Sequence, residues 1–255
     1  MQKYQKEFEV HYYEVDVYQE LTLPALLDYL EETAIAHSEA VGYGITRLKE
    51  RGYGWVLNRW QIEIIHYPHR GDRIKVQTWM SNSKRFYAER EFLVLSAENE
   101  VIAQANSLWI FLNLEKRRPH RIPQEIQEAY SLVPEKVQLL PFPDFNDNHS
   151  GQTEECEFMV RRSDIDTNAH VNNVKYIEWL LETIPEDVYR TSKISSLEVI
   201  YKKESTYGQI IHAFTEEQQK TEQRVYYDHQ IHKQEGENKV VLALAKTFWS
   251  KQKII

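Results

Sequence analysis

RRSDIDTNAHVNNVKYIEWLLETIP, residues Arg161 to Pro185, is the stretch whose reading decides the fold. Its first part, Asp164 to His170, packs acid, amide and imidazole side chains into seven residues with no glycine. The part that follows predicts a helix over Val171–Ile184. Val174, Ile177, Leu180, Leu181 and Ile184 recur at three- and four-residue spacing, and Tyr176 and Trp179 widen the apolar stripe. Asn172 is placed to cap that helix and Pro185 to stop it. Polar groups therefore converge on a helix N-terminus, where free backbone N–H groups and the positive end of the dipole favour negative charge. Such a layout suits a site that must stabilise an oxyanion.

Outward from this stretch, the chain repeats itself. Residues 7–34 align with 157–184 without a gap, with identities at Glu7/Glu157, Phe8/Phe158, Val10/Val160, Asp16/Asp166, Leu30/Leu180, Glu32/Glu182 and Thr33/Thr183. Conservative pairs lie between them, and the expected N-caps Thr22 and Asn172 coincide. Matching cap, apolar face and flanking acid points to duplication, and so long a period means two domains of one fold, not a solenoid.

The first unit opens with an expected strand over Phe8–Tyr13 and a helix over Leu23–Val41, with Pro24 in its first turn and Gly42 ending it. Strand patterns follow at Trp55–Ile65, Arg73–Met80, Arg85–Leu95 and Val101–Leu112. Prolines cluster from Arg117 to Ser150, which reads as a connector. The second unit repeats the order, with strand Glu157–Arg161, helix Val171–Ile184, then strands Ser195–Lys202, Ile210–Glu216, Arg224–His232 and Val240–Ser250. One long helix followed by successive hairpin strands is an α+β pattern, an antiparallel sheet wrapped on a helix. The expected domains are 1–130 and 151–255, joined by a linker over 131–150.

Composition narrows the function classes. A chain of 255 residues can bury a real core, and no apolar run approaches a membrane span. The N-terminus is polar with no signal-peptide core, and the single cysteine forms no intrachain disulfide, so a soluble cytoplasmic protein is expected. A net charge of −8 argues against nucleic acid as a general partner. Yet Ile45 to Arg121 holds 14 Lys/Arg against 8 Asp/Glu. The excess reads either as a docking face for an acidic partner or, more plainly, as the solvated faces of strands.

What the repeat fails to preserve is informative. Tyr18 stands opposite Asn168, and Glu20 opposite His170. The first copy keeps Asp16 without the amide–imidazole pair, which places the chemistry in the C-terminal half and leaves the N-terminal half for packing or for shaping a pocket.

At these residues the chain resembles the acyl-acyl carrier protein thioesterases of plants and bacteria. The resemblance rests on Arg161, Ser163, Asp164, Asp166, Asn168, His170, Val171, Asn172, Asn173, Tyr176, Trp179, Glu182 and Pro185. It extends through Tyr13–Asp16, Leu26–Glu32, His37, Gly42 and Trp55–Ile64, and through Leu197–Ser205 with one extra residue. It implies a tandem hotdog fold, in agreement with the repeat, and hydrolysis of a fatty acyl thioester on an acidic carrier protein in fatty acid biosynthesis. Lys116, Arg117, Arg118 and Arg121 then become candidates for meeting the carrier.

Carried over residue by residue, the resemblance proposes Asp166, Asn168, His170 and Glu204 as the catalytic group. The family's cysteine position holds Ser205 here. A cysteine nucleophile is thereby excluded; Ser205 in a Ser–His arrangement is one replacement, and water activated by Glu204 is preferred to it, with Asn168 oriented by Asp166 and backbone N–H groups near Val171 to Asn173 receiving the oxyanion. Plainer roles stand beside these: Asp166 has a counterpart in Asp16, Asn168 is ordinary in a turn, and Glu204 reads also as a solvated strand end. Cys156 reads as inert. No Cys/His spacing suits zinc and no glycine loop suits phosphate, so neither metal nor cofactor is expected. An acyl-coenzyme A thioesterase and a non-catalytic acyl-binding module are the alternatives. Homodimerisation is left open, since two fused units can already complete a hotdog pair.

Overall fold

A computed structural model describes residues 3–145 and 153–251. The chain forms two compact units, Met1–Leu140 and Pro141–Ile255. The first contains β1 (Tyr4–Glu9), α1 (Leu23–Ala40), α2 (Ile45–Glu50), β2 (Tyr53–Ile64), β3 (Arg73–Lys84), β4 (Tyr87–Leu95), β5 (Val101–Asn113), β6 (Arg118–Pro119) and α3 (Gln124–Tyr130). Its antiparallel sheet runs β1-β3-β4-β5-β2, with β6 on β5. The second contains β7 (Thr153–Met159), α4 (Asn173–Leu181), α5 (Glu186–Thr191), β8 (Ser192–Tyr201), β9 (Ile210–Lys220), β10 (Arg224–Glu235) and β11 (Asn238–Lys251). Its antiparallel order, β7-β9-β10-β11-β8, repeats that of the first unit. The expected α+β class is what forms.

Each sheet is bent over its helix, with register shifts at Leu57/Arg59, Met80/Asn82, Tyr226/Tyr227 and Ile231/His232. α1 packs on β1 and β3, burying Leu23, Leu26, Leu27, Leu30 and Ala34, and α4 packs on β9 and β10, burying Val174, Tyr176, Ile177, Trp179 and Leu180. An isolated nine-residue helix is not stable in water, so α4 is held by this packing. At about 1.5–3 kcal/mol for each large apolar side chain buried, the packing is sufficient. One aromatic pair ties helix to first strand in both copies: Phe8 stacks on Tyr29 at 4.3 Å and Phe158 on Trp179 at 5.9 Å.

Several boundaries differ from those predicted. The first strand ends at Glu9, not Tyr13, because Glu14 accepts the His11 N–H at 2.7 Å and closes a 3-10 turn over Tyr12–Glu14. The expected helix Val171–Ile184 is regular only over Asn173–Leu181. Thr183 and Ile184 donate N–H to Leu180 and Leu181 in a tightened last turn, and the Thr183 hydroxyl also donates to the Leu180 carbonyl at 2.6 Å. Pro185 then precedes α5, a helix not anticipated.

The proline-rich stretch from Arg117 is folded, not extended. It carries β6 and α3, and Ile126 and Tyr130 enter the core beside Leu48, Met80, Phe111 and Ile122. Beyond α3 the chain crosses the first sheet: Val133 N–H donates to Met80 O at 3.0 Å, Trp79 Nε1 to Glu135 O at 2.8 Å and Gln61 Nε2 to Leu140 O at 2.8 Å. Residues 146–152, the end of the expected linker and the start of the expected second domain, lie outside the described residues. No helix among the described residues is long and apolar enough to cross a membrane.

Candidate functional site

The site is built on the loop between β7 and α4. Asp164, buried, accepts the Arg161 N–H at 2.7 Å and the guanidinium at 3.1 and 3.3 Å, while its carbonyl accepts Asn172 N–H at 2.9 Å. Asp166 closes the next turn. Its Oδ1 accepts Asn168 N–H at 2.7 Å and His170 N–H at 3.3 Å, and its Oδ2 accepts Asn168 Nδ2 at 3.2 Å. Its own N–H donates to His170 O at 2.8 Å, and Ala169 takes the left-handed conformation, φ 64°, that the tight return needs. The Asp164 and Asp166 carboxylates thus close the two turns by accepting nearby backbone N–H groups.

The loop presents His170 towards the segment after β8. His170 Nε2 lies 3.1 Å from Glu204 Oε2, with the imidazole 27% and the carboxylate 42% exposed, so water reaches both. Asn168 is exposed at the same rim. The structure therefore brings the four expected residues together as two pairs, Asp166 with Asn168 and His170 with Glu204, on one loop–strand junction.

Ser205 is elsewhere employed. It is fully buried, its carbonyl accepts Val171 N–H at 2.9 Å, and its hydroxyl donates to Gln209 Oε1 at 2.7 Å. That Gln209 oxygen also receives Thr206 N–H at 3.1 Å and Lys233 Nζ at 3.2 Å, so Gln209 organises the strand end that carries Glu204. Sequence reasoning missed Gln209. Its first-unit counterpart Asp72 likewise accepts His69 N–H at 2.8 Å, a likeness that shows only in the folded chain.

The expected oxyanion donors narrow. Val171 N–H is taken by Ser205 and Asn172 N–H by Asp164, and Asn172 Oδ1 caps Val174 N–H at 2.8 Å. Asn173 N–H, at the first position of α4, has no partner among the described residues. Below it, Tyr176 lies buried against the Ser205 backbone; burial raises its hydroxyl pKa above the usual tyrosine range, and the Glu204 and Asp166 carboxylates push the same way. Tyr176 thus stays a neutral hydroxyl. Cys156, its thiol raised by burial and nearby glutamates, sits on β7 with its sulfur 3.6 Å from the Glu182 carbonyl, apart from this group. Among the described residues no three His, Cys, Asp or Glu side chains are grouped to hold a metal ion.

Residues 1–130 match the acyl-ACP thioesterase N-terminal domain and residues 147–251 the C-terminal domain. The chain is 30% identical over 260 residues to a chloroplastic acyl-[acyl-carrier-protein] hydrolase of Cuphea viscosissima, covering 96% of this chain and 62% of that relative. It likewise spans 62% of the length of a chloroplastic oleoyl-acyl carrier protein thioesterase of Coriandrum sativum, at 28% identity and 83% coverage of this chain. Among solved structures it is similar to an acyl-ACP thioesterase of Bacteroides thetaiotaomicron, with TM-score 0.83, 29% identity and coverage of 97% and 98% of the two chains. It is also similar to the 12:0-ACP thioesterase of Umbellularia californica, with TM-score 0.83, 26% identity and coverage of 98% and 94%. The repeated helix-and-sheet units are the hotdog folds expected. Matched in both halves, the chain belongs to the acyl-ACP thioesterase family.

Proposed function

We propose that this protein hydrolyses a fatty acyl thioester presented by acyl carrier protein, releasing free fatty acid for lipid synthesis in the cytoplasm. The observation that carries the reading is the 3.1 Å contact of His170 with Glu204 at the mouth of α4, beside a Ser205 whose hydroxyl is committed to Gln209. Glu204 takes a proton from water, and the water oxygen forms a bond to the thioester carbonyl carbon. The carbonyl electron pair moves to oxygen, where Asn173 N–H at the positive end of α4 stabilises it. Collapse breaks the C–S bond, and the thiolate recovers the proton from the Glu204–His170 pair. Asn168, oriented by Asp166, holds the attacking water or the substrate carbonyl. Ser205 supplies no nucleophile.

Glu204→Gln and His170→Ala test this directly. Each is expected to lower turnover of an acyl-carrier substrate by about 10²–10⁴-fold with an unchanged circular dichroism spectrum. Near-normal rates in both variants would sink the assignment.

A further inference from the structure

The cationic excess between Ile45 and Arg121 is concentrated in the first unit at the turns flanking β4–β6. Lys84 ends β3 and Arg85 opens the β3–β4 turn, Lys116–Arg118 follow β5, and Arg121 precedes α3. Backbone hydrogen bonds fasten these turns to one another: Ile122 N–H donates to Arg85 O at 2.8 Å, Phe111 N–H to Phe86 O at 2.8 Å and His120 N–H to Phe111 O at 2.9 Å. Lys84, Arg85, Lys116, Arg118 and Arg121 are all exposed, and among the described residues no ion pair holds any of these five. Residues 84–87 and 113–122 contain six Lys/Arg and a single carboxylate, Glu115. The nearby acids are engaged otherwise, Glu89 with Lys136, Glu125 with Arg51 and Glu128 with Gln124. The matching β9–β10 turn of the second unit, Lys220-Thr221-Glu222-Gln223-Arg224, differs in holding Glu222 between its cations and in pairing Lys220 with Asp187 and Glu217.

The exposed Lys84, Arg85, Lys116, Arg118 and Arg121 oppose one another in the free protein and are relieved by an anionic partner. We propose that this cationic face of the first unit is the docking surface for the acidic carrier protein, an inference that rests on the carrier-dependent thioesterase reading above. The chain as a whole carries −8 and repels an acidic protein, so a local positive field selects the orientation of encounter. An open recess of about 580 Å³ lined by His120, Arg121, Ile122, Pro123, Gln124 and Gln127 adjoins the cations.

The test is the variant R85E/R118E/R121E, assayed on one acyl chain carried either by acyl carrier protein or by uncharged N-acetylcysteamine. The expected result is a fall of about tenfold or more in kcat/KM for the carrier substrate at low salt, with a flattened salt dependence and an unchanged rate on the small thioester. Equal loss on both substrates, or none on the carrier substrate, overturns the docking face while leaving the thioesterase reading in place. A parent chain that hydrolyses the small thioester but not the carrier-bound one overturns that reading and the face with it. Retained carrier kinetics together with loss of binding to phosphatidylglycerol vesicles would assign the face to a membrane instead.

Discussion

The loops 14–22 and 164–172 are the same object made twice, and their differences separate scaffold from chemistry. Asp16 Oδ1 accepts Tyr18 N–H at 2.8 Å and Glu20 N–H at 3.1 Å, as Asp166 Oδ1 accepts Asn168 and His170 N–H. Gln19 and Ala169 share the left-handed conformation, with φ 63° and 64°. Leu21 N–H donates to Pro68 O and Val171 N–H to Ser205 O, which pairs Pro68 with Ser205 and so Tyr67 with Glu204. The backbone hydrogen bonds around Asp16 recur around Asp166, while Tyr18, Glu20 and Tyr67 stand where Asn168, His170 and Glu204 do. Asp166 is therefore first of all a brace. On the proposed reading the chemistry lies in three substitutions upon it.

The largest expected effect comes from making the second loop resemble the first. N168Y/H170E keeps every backbone donor and acceptor of the loop and removes the amide–imidazole pair. Turnover should fall by at least about 10³-fold with a small change in thermal stability. An active double variant would break the comparison outright.

Removing the brace sharpens the same contrast. Asp16→Ala and Asp166→Ala each delete two or more hydrogen bonds, one to an exposed and one to a part-buried backbone donor, and should cost about 1–2 kcal/mol in denaturant unfolding. Only Asp166→Ala should also depress kcat, because only that loop holds His170 and Asn168 in place. Equal kcat losses from both would mean that the first loop is catalytic too.

Much of this organisation was legible in the residues, and the rest was hidden for a physical reason. Helix faces and caps carry periodicity, so α1, α4, Thr22 and Asn172 were found. α2 and α5, of six residues each, and α3, of seven, show too few turns for a stripe to emerge, and α3 lay among prolines that signal loops. Closure of the 3-10 turns by Glu14 and Asp164 depends on one side chain reaching one N–H, which leaves no pattern. Gln209, far from the motif, shows its role only where the chain folds back to receive Ser205, Thr206 and Lys233.

Ser205 gives a smaller and opposite expectation. Ser205→Ala removes one of three donors to Gln209 Oε1 and should cost about 1 kcal/mol of stability, with kcat within about twofold of the parent. A collapse of kcat without loss of stability would return the serine to the reaction as nucleophile.

The smallest effect tests whether the two loops bear the same strain. A non-glycine residue in the left-handed region costs roughly 1–2 kcal/mol. Glycine there avoids that cost but gives back roughly 0.5–1 kcal/mol in unfolded-state entropy. Gln19→Gly and Ala169→Gly should therefore each stabilise by about 0.5 kcal/mol or slightly more in chemical unfolding. Their kinetics should part, because freedom at residue 169 loosens the neighbours Asn168 and His170, whereas residue 19 adjoins only Tyr18 and Glu20. A several-fold loss of kcat in A169G, with none in Q19G, places the catalytic use of the strained turn in the second copy alone. Matching kinetics in the two variants would mean that the turn serves only to close the loop, and that preorganisation of His170 comes from its contact with Glu204.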